Sequence, residues 1–180
     1  LYFAKIFLCR MECGNMVITK IEAQKKKGRY NIYLNDAFAF GVDEATVVKY
    51  ALFKGTELTK EQIEEIQHDD CIQQAYQKAL HFLNFKLRST KEVYEKLEKL
   101  EFDEEIINEV LGKLHEQNFI NDTFYAESYL NQAKFVTFKG PKSVVFDLQK
   151  KGISDKVIQT VLEGYTLKEQ LENAIQIAQS

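Results

Sequence analysis

The sequence predicts a mostly α-helical protein: tandem three-helix repeats preceded by a small antiparallel β-containing region. Three observations carry this. Residues up to about Gly41 are β-prone runs, partly alternating, separated by turn pairs; residues beyond it show a helical period; and a stretch of the second half repeats at an offset of 51 residues.

The β-containing front consists of three runs, VITKIEAQ, RYNIYL and AFAFG. Ile18, Ile21 and Ala23 partly share a face in the first, and Ile32 and Leu34 alternate with polar neighbours in the second. Lys27-Gly28 and Asn35-Asp36 supply turn chemistry between them. Three antiparallel strands are expected, ending at Gly41. Asp43 is placed to cap a helix carrying Val47, Val48 and Leu52, closed by Phe53-Lys54-Gly55. Thr59 and Gln62 form a capping box for the next helix, with Ile63 and Ile66 on its apolar stripe. Asp69-Asp70 is expected to open a further helix containing Ala75, Ala79, Leu80 and Leu83.

Residues 89–111 (STKEVYEKLEKLEFDEEIINEVL) align without a gap on residues 140–162 (GPKSVVFDLQKKGISDKVIQTVL). Lys91/Lys142, Val93/Val144, Leu97/Leu148, Lys99/Lys150, Ile107/Ile158, Val110/Val161 and Leu111/Leu162 are identical. The apolar pairs fall on one helical face, and the same offset sets Ala75 against Ala126. Helix boundaries repeat too. Ser89 with Glu92 is a capping box, and Gly140-Pro141 places proline at a first helical position. Asp103 and Ser154 are placed to cap the third helices, and Gly152 and Gly164 to end the helices before them.

The chain therefore divides into residues 1–15, an extension expected to lie outside the native fold with Met16 as natural start; 16–70, a small sheet plus helices; 71–120, repeat one; 121–166, repeat two; and 167–180, the first helix of an incomplete third repeat. A lone helix cannot bury its own apolar face. The chain is thus expected to be a fragment, its last helix (Ala174, Ile177 and Ala178 on one face) loosely held unless it packs back on repeat two.

Composition narrows the chemistry. The 180 residues are 45% hydrophobic with one proline and no tryptophan, enough for a sizeable core and unlike a loop-rich secreted scaffold. Three cysteines without framework spacing fit a reducing, cytoplasmic compartment. No run approaches the roughly 20 apolar residues of a membrane span. Cys9 and Cys13 have no matching second pair, so no metal site is expected, and no cofactor. The glycines make no phosphate loop, and no nucleophile–base–orienter trio is present, so the chain reads as a binding module without catalytic residues. Acidic runs alternate with lysines at helical spacing, as in Glu92/Lys96 and Glu95/Lys99, which fits a solvated face. His81 reads as a core-edge residue.

Basic segments stand out against a net charge of −3. One holds Lys20, Lys25, Lys26, Lys27 and Arg29. Another holds Lys134, Lys139, Lys142, Lys150 and Lys151, and a smaller cluster holds Lys86, Arg88 and Lys91. The offset equates Arg88 with Lys139 and Lys91 with Lys142, so a basic site recurs at the entry to the second helix of each repeat. Lys86, Arg88, Lys91, Lys134, Lys139, Lys142, Lys150 and Lys151 are the candidate partner- or DNA-binding residues, forming a stripe toward a polyanion or an acidic protein surface. The same lysines also fit a plain solubilising surface. Tyr129, Phe135 and Phe138 beside them read as core.

The run from Arg88 to Gln132 and the segment FKGPKSVVFDLQKKGISDKVIQTVL resemble the RecX regulatory proteins of bacteria. The shared pattern is a serine before an amphipathic helix, then an aromatic–apolar–Asn-Asp element before an aromatic–Ala pair: Phe119, Ile120, Asn121, Asp122, Phe124 and Ala126 here. Lys139-Gly140-Pro141 and the run Lys150–Ile153 also match, and the β-containing front resembles that of the longer RecX proteins of Gram-positive bacteria. Repeat one departs from the pattern, with Leu100-Glu101-Phe102 where a Lys-Gly-aromatic turn is usual, and Lys142 stands where many relatives carry arginine. The resemblance implies a monomer that binds RecA protein and the RecA–DNA filament, with weak direct DNA contact and no membrane. It further implies inhibition of recombinase, ATPase and coprotease activity, in DNA repair and the SOS response. The alternative is a helix-turn-helix DNA-binding transcriptional regulator, since each repeat has three helices and a tight turn. Its recognition helix in repeat one, however, would carry Glu104, Glu105 and Glu109 against Lys113.

Overall fold

The computed structural model describes residues 15–25 and 27–179, in two compact units, Leu1–Gln74 and Ala75–Ser180. The extension with Cys9 and Cys13, and Lys26, lie outside the described residues.

In the first unit the strands are β1 (Met16–Ala23), β2 (Arg29–Leu34), β3 (Ala37–Asp43) and β4 (Glu57–Leu58), antiparallel in the order β3-β2-β1-β4. Alternation buries Met16, Ile18, Ile32, Leu34, Phe40 and Val42 on one face. Asn35 and Asp36 both adopt positive φ (48° and 66°), the backbone a tight hairpin demands. The sheet has a fourth strand beyond the three expected, and β3 runs two residues past Gly41. β4 is two residues long, too short for alternation to show in sequence.

Helix α1 (Glu44–Lys49) starts where expected, with the Asp43 carboxylate accepting from Thr46 N–H, but ends before Leu52. Ala51 turns the chain with positive φ (47°), and Leu52 joins the sheet core from the loop. Helix α2 (Lys60–Leu83) is continuous, and the unit boundary falls within it. Thr59 and Gln62 form the expected reciprocal cap. Asp69-Asp70 therefore does not begin a helix. Asp70 is buried instead, accepting from Arg29 Nη2 (3.0 Å), Gln74 Nε2 (2.7 Å) and Asp43 N–H (2.8 Å). Its charge is used to tie helix to sheet, which local sequence does not reveal. Ile63 and Ile66 complete the core of this unit.

The second unit continues with α3 (Thr90–Glu98), α4 (Glu104–Glu116), α5 (Asp122–Phe135), α6 (Pro141–Lys150), α7 (Asp155–Leu162) and α8 (Leu167–Gln179). Residues equivalent at the 51-residue offset share their environments. Ala75/Ala126, Val93/Val144, Leu97/Leu148, Ile107/Ile158, Val110/Val161 and Leu114/Tyr165 are all buried. In repeat two these side chains form one cluster with Leu130, Ala133 and Ile153. Ser89 makes its capping box, and Ser154 accepts from Val157 N–H. Asp103 stands at the N-cap of α4 without a side-chain cap bond.

The turn between second and third helices is the same in both repeats. Ile153 N–H donates to the Leu148 carbonyl (3.1 Å), and Phe102 N–H to Leu97 (3.4 Å). The residue before each has positive φ: Gly152 at 79° and Glu101 at 61°. Gly152 answers a second demand, since a Cβ there would lie 2.7 Å from Lys91 Cβ. Glu101 carries only the backbone cost. Gly164, by contrast, has no positive φ, so it is not the helix-ending glycine expected. Glu101→Gly is expected to raise stability by about 1 kcal/mol in urea melts, by relieving left-handed strain of roughly that size. Gly152→Ala should lower stability by more than Glu101→Gly raises it.

Candidate functional site

The two repeats meet at the start of α3. Ser89 is wholly buried, and its hydroxyl donates to the Lys151 carbonyl (2.7 Å) while accepting from Glu92 N–H (3.3 Å). The Glu92 carboxylate accepts from Ser89 N–H (3.2 Å) and from Lys151 Nζ (2.8 Å), with Arg88 Nη1 at 3.6 Å. Lys91 Nζ donates to the Lys150 carbonyl (3.3 Å) across the same joint. Asp122, at the start of α5, accepts from Thr90 N–H (2.8 Å). Beside this joint, burial and the Glu92 charge push the Tyr125 hydroxyl up to about 12. One carboxylate thus serves a helix cap and a cross-repeat ion pair together.

Of the candidate basic residues, Arg88, Lys91 and Lys151 are therefore brought together, and Lys150 joins them only through its backbone carbonyl. The Arg88 guanidinium lies over the Phe82 ring (3.9 Å), and Lys91 also faces Glu95 (3.8 Å). Lys139 is held apart from them: its ammonium meets Asp147 (2.7 Å) and the Tyr129 hydroxyl (3.0 Å), and those bonds raise its pKa above the usual lysine range. Lys134 leaves the surface altogether. It is buried and bonded to the Gly164 carbonyl and to Glu169 (2.9 Å). Lys86 and Lys142 are exposed, and Lys150 extends over Phe146 (5.7 Å). Among the described residues none of these three has a carboxylate within ion-pair distance. In the front segment Arg29 is committed to Asp70 and Lys20 to Glu22 (2.5 Å).

Several sequence expectations change here. Glu92 pairs with Arg88 one turn before it and with Lys151 across the joint, rather than with Lys96 one turn after it. His81 is exposed and stacks edge-on against Phe85 (5.1 Å), so it is no core-edge residue. Phe135 is 68% exposed, while Tyr129 and Phe138 are half-buried. Helix α8 packs through its polar side: Asn173 donates to the Tyr165 hydroxyl (2.7 Å) and Gln170 to the Tyr165 carbonyl (2.8 Å). Its apolar residues Leu167, Leu171 and Ile175 remain exposed.

The chain matches known proteins in both its sheet-containing front and its helical part. The model of the RecX N-terminal domain matches residues 16–59, and that of the first RecX three-helix domain matches residues 75–114. A crystal structure of a regulatory protein RecX aligns over 91% of this chain and 80% of its own length, at 38% identity and a TM-score of 0.75. The chain belongs to the RecX family. A RecX structure from Lactobacillus salivarius aligns over 62% of this chain and 72% of its own, at 40% identity and a TM-score of 0.59. The RecX protein of Leuconostoc mesenteroides is 45% identical over 161 residues, 89% of this chain and 60% of that protein. That of Listeria monocytogenes serotype 4a is 40% identical over 160 residues, again 60% of its length. The chain thus spans about 60% of the curated RecX relatives it matches. Among the described residues no helix is long and apolar enough to cross a membrane, and no group of three or more His, Cys, Asp or Glu is placed to hold a metal.

The Lys134–Glu169 pair gives a pH signature. Bonds from Lys134 and Thr166 hold the Glu169 carboxyl at about 2, below its ordinary 4.5. A depressed folded-state pKa stabilises above the unfolded value and loses that contribution as pH falls toward the folded one. Hydrogen-exchange protection of α8 should therefore exceed that of a Glu169→Gln variant by a constant factor at neutral pH. The difference should shrink below about pH 4.5 and vanish near pH 2. A pH-independent difference would contradict this role.

Proposed function

We propose that this chain is a modulator of RecA: it binds the RecA nucleoprotein filament and inhibits its recombinase, ATPase and coprotease activities, dampening repair-linked recombination and the SOS response. Membership of a family whose relatives are named regulatory proteins carries the proposal. The geometry supports it. Two helical units fixed to each other by a buried joint offer several separated contact points, and many modest contacts add up on a repeating partner. The chain acts here by binding rather than by catalysis.

The charge distribution favours contact with RecA protein over direct contact with DNA. Arg88, Lys91, Lys134, Lys139 and Lys151 each face a carboxylate of their own chain. Only Lys86, Lys142 and Lys150 among the candidates are left to meet a partner, and three phosphate contacts give modest, strongly salt-dependent affinity. A helix-turn-helix regulator is less well supported, because Glu104, Glu105 and Glu109 are exposed on α4 and would face DNA with like charge. We also assign α8 to the start of a third unit, since a lone helix with Leu167, Leu171 and Ile175 exposed has nothing of its own to bury them against.

Added to RecA on single-stranded DNA, the purified chain is expected to lower ATP hydrolysis. Unchanged hydrolysis at molar excess would overturn the proposal. Replacing Lys86, Lys142 and Lys150 by glutamate should weaken this inhibition and flatten its salt dependence with the fold intact.

A further inference from the structure

The loops leading into the second helix of each repeat hold apolar side chains outside the core at matching places. Phe85 is 71% exposed in repeat one and Val136 66% exposed in repeat two. Phe85 and Val136 are equivalent at the 51-residue offset. A single exposed hydrophobic residue needs no explanation. Here, however, core pairs such as Val93/Val144 and Leu97/Leu148 keep their burial from one repeat to the next, and this position keeps its exposure.

The second loop is also held in place. Thr137 N–H donates to the Gln132 carbonyl (3.0 Å), Lys139 N–H to Ala133 (2.9 Å), and the Tyr165 hydroxyl to the Lys139 carbonyl (3.0 Å). Its apolar tip is thus presented on fixed backbone, which lowers the entropy lost on docking. Both loops are cationic and free of acid: residues 84–91 contain Lys86, Arg88 and Lys91, and residues 135–142 contain Lys139 and Lys142.

We infer that Phe85 and Val136 are paired docking knobs, each entering an apolar pocket rimmed by carboxylates on an acidic protein surface that repeats along the filament. The inference rests on the proposed function and names the partner surface for it: RecA protein, not its nucleic acid. Phe85 carries a ring but its equivalent Val136 has none, so the position the two repeats share does not depend on base stacking. The Arg88 and Lys139 charges next to the knobs already face Glu92 and Asp147, so the exposed Lys86 and Lys142 are the loop cations left to meet the carboxylate rim.

The test uses the whole chain with Phe85→Ser, Val136→Ser and the double variant, and with Phe85→Leu and Val136→Leu as conservative controls. Binding is measured to RecA filaments on single-stranded DNA and, separately, to the same DNA bare. Each serine variant should weaken filament binding about tenfold and the pair about a hundredfold, as for buried interface anchors. Melting temperature and affinity for bare DNA should not change, and the leucine variants should bind filaments as the parent does. A double variant that binds filaments like the parent overturns the inference and leaves the proposed function standing. A parallel loss of bare-DNA binding assigns the loops to nucleic acid and also overturns it. A parent chain that does not bind filaments overturns the proposed function and the inference together.

Discussion

The hydroxyl of Ser89 holds two scales of structure together. It accepts from Glu92 N–H to start α3, and it donates to the Lys151 carbonyl of the other repeat. A buried hydroxyl must find partners, and a lost one costs about 1–3 kcal/mol. Because the same residue begins a helix and closes the joint, the repeats cannot separate without also exposing a helix cap. Glu92 doubles the constraint by accepting from the Ser89 backbone and the Lys151 ammonium together. Gly152 lets the Lys91 stem pass close to the turn.

That joint decides what the basic residues can do. It consumes Arg88 and Lys151 around one carboxylate, while Lys134 and Lys139 are consumed elsewhere by Glu169 and Asp147. A stripe that looks continuous in sequence becomes a few free cations and two loops with apolar side chains exposed. This favours a protein partner, where shape and apolar contact carry affinity and charge chiefly steers the encounter. Helix α8 follows the same logic from the other side. Polar bonds from Lys134 to Glu169 and from Asn173 and Gln170 to Tyr165 anchor it, and Leu167, Leu171 and Ile175 are left exposed.

Much of the fold was legible because it is governed by local patterns. Strand alternation, the Asn35-Asp36 turn, the Thr59 and Ser89 caps and the 51-residue repeat each have a signature within a few residues of themselves or in the self-alignment. What was not legible depends on distant partners. Asp70 looks like a helix start until Arg29 and the Asp43 amide are seen against it. Lys134 looks like a surface cation until Glu169 closes over it. Phe135 is a large apolar side chain, and its place at the last residue of α5 leaves it outside the core. The offset equates Arg88 with Lys139, but the repeat alone could not show that each has its own carboxylate at a different place. The unusual Glu101 was visible as a departure from a glycine position, and its positive φ gives that departure a physical cost.

The most direct test of this account is a double-mutant cycle across the joint, with Glu92→Gln, Lys151→Met and both together, read by urea unfolding. The account predicts a coupling of about 1 kcal/mol between residues that belong to different repeats, within the range for contacting pairs in one network. Strictly additive effects would contradict it, showing that the repeats are held together without this contact.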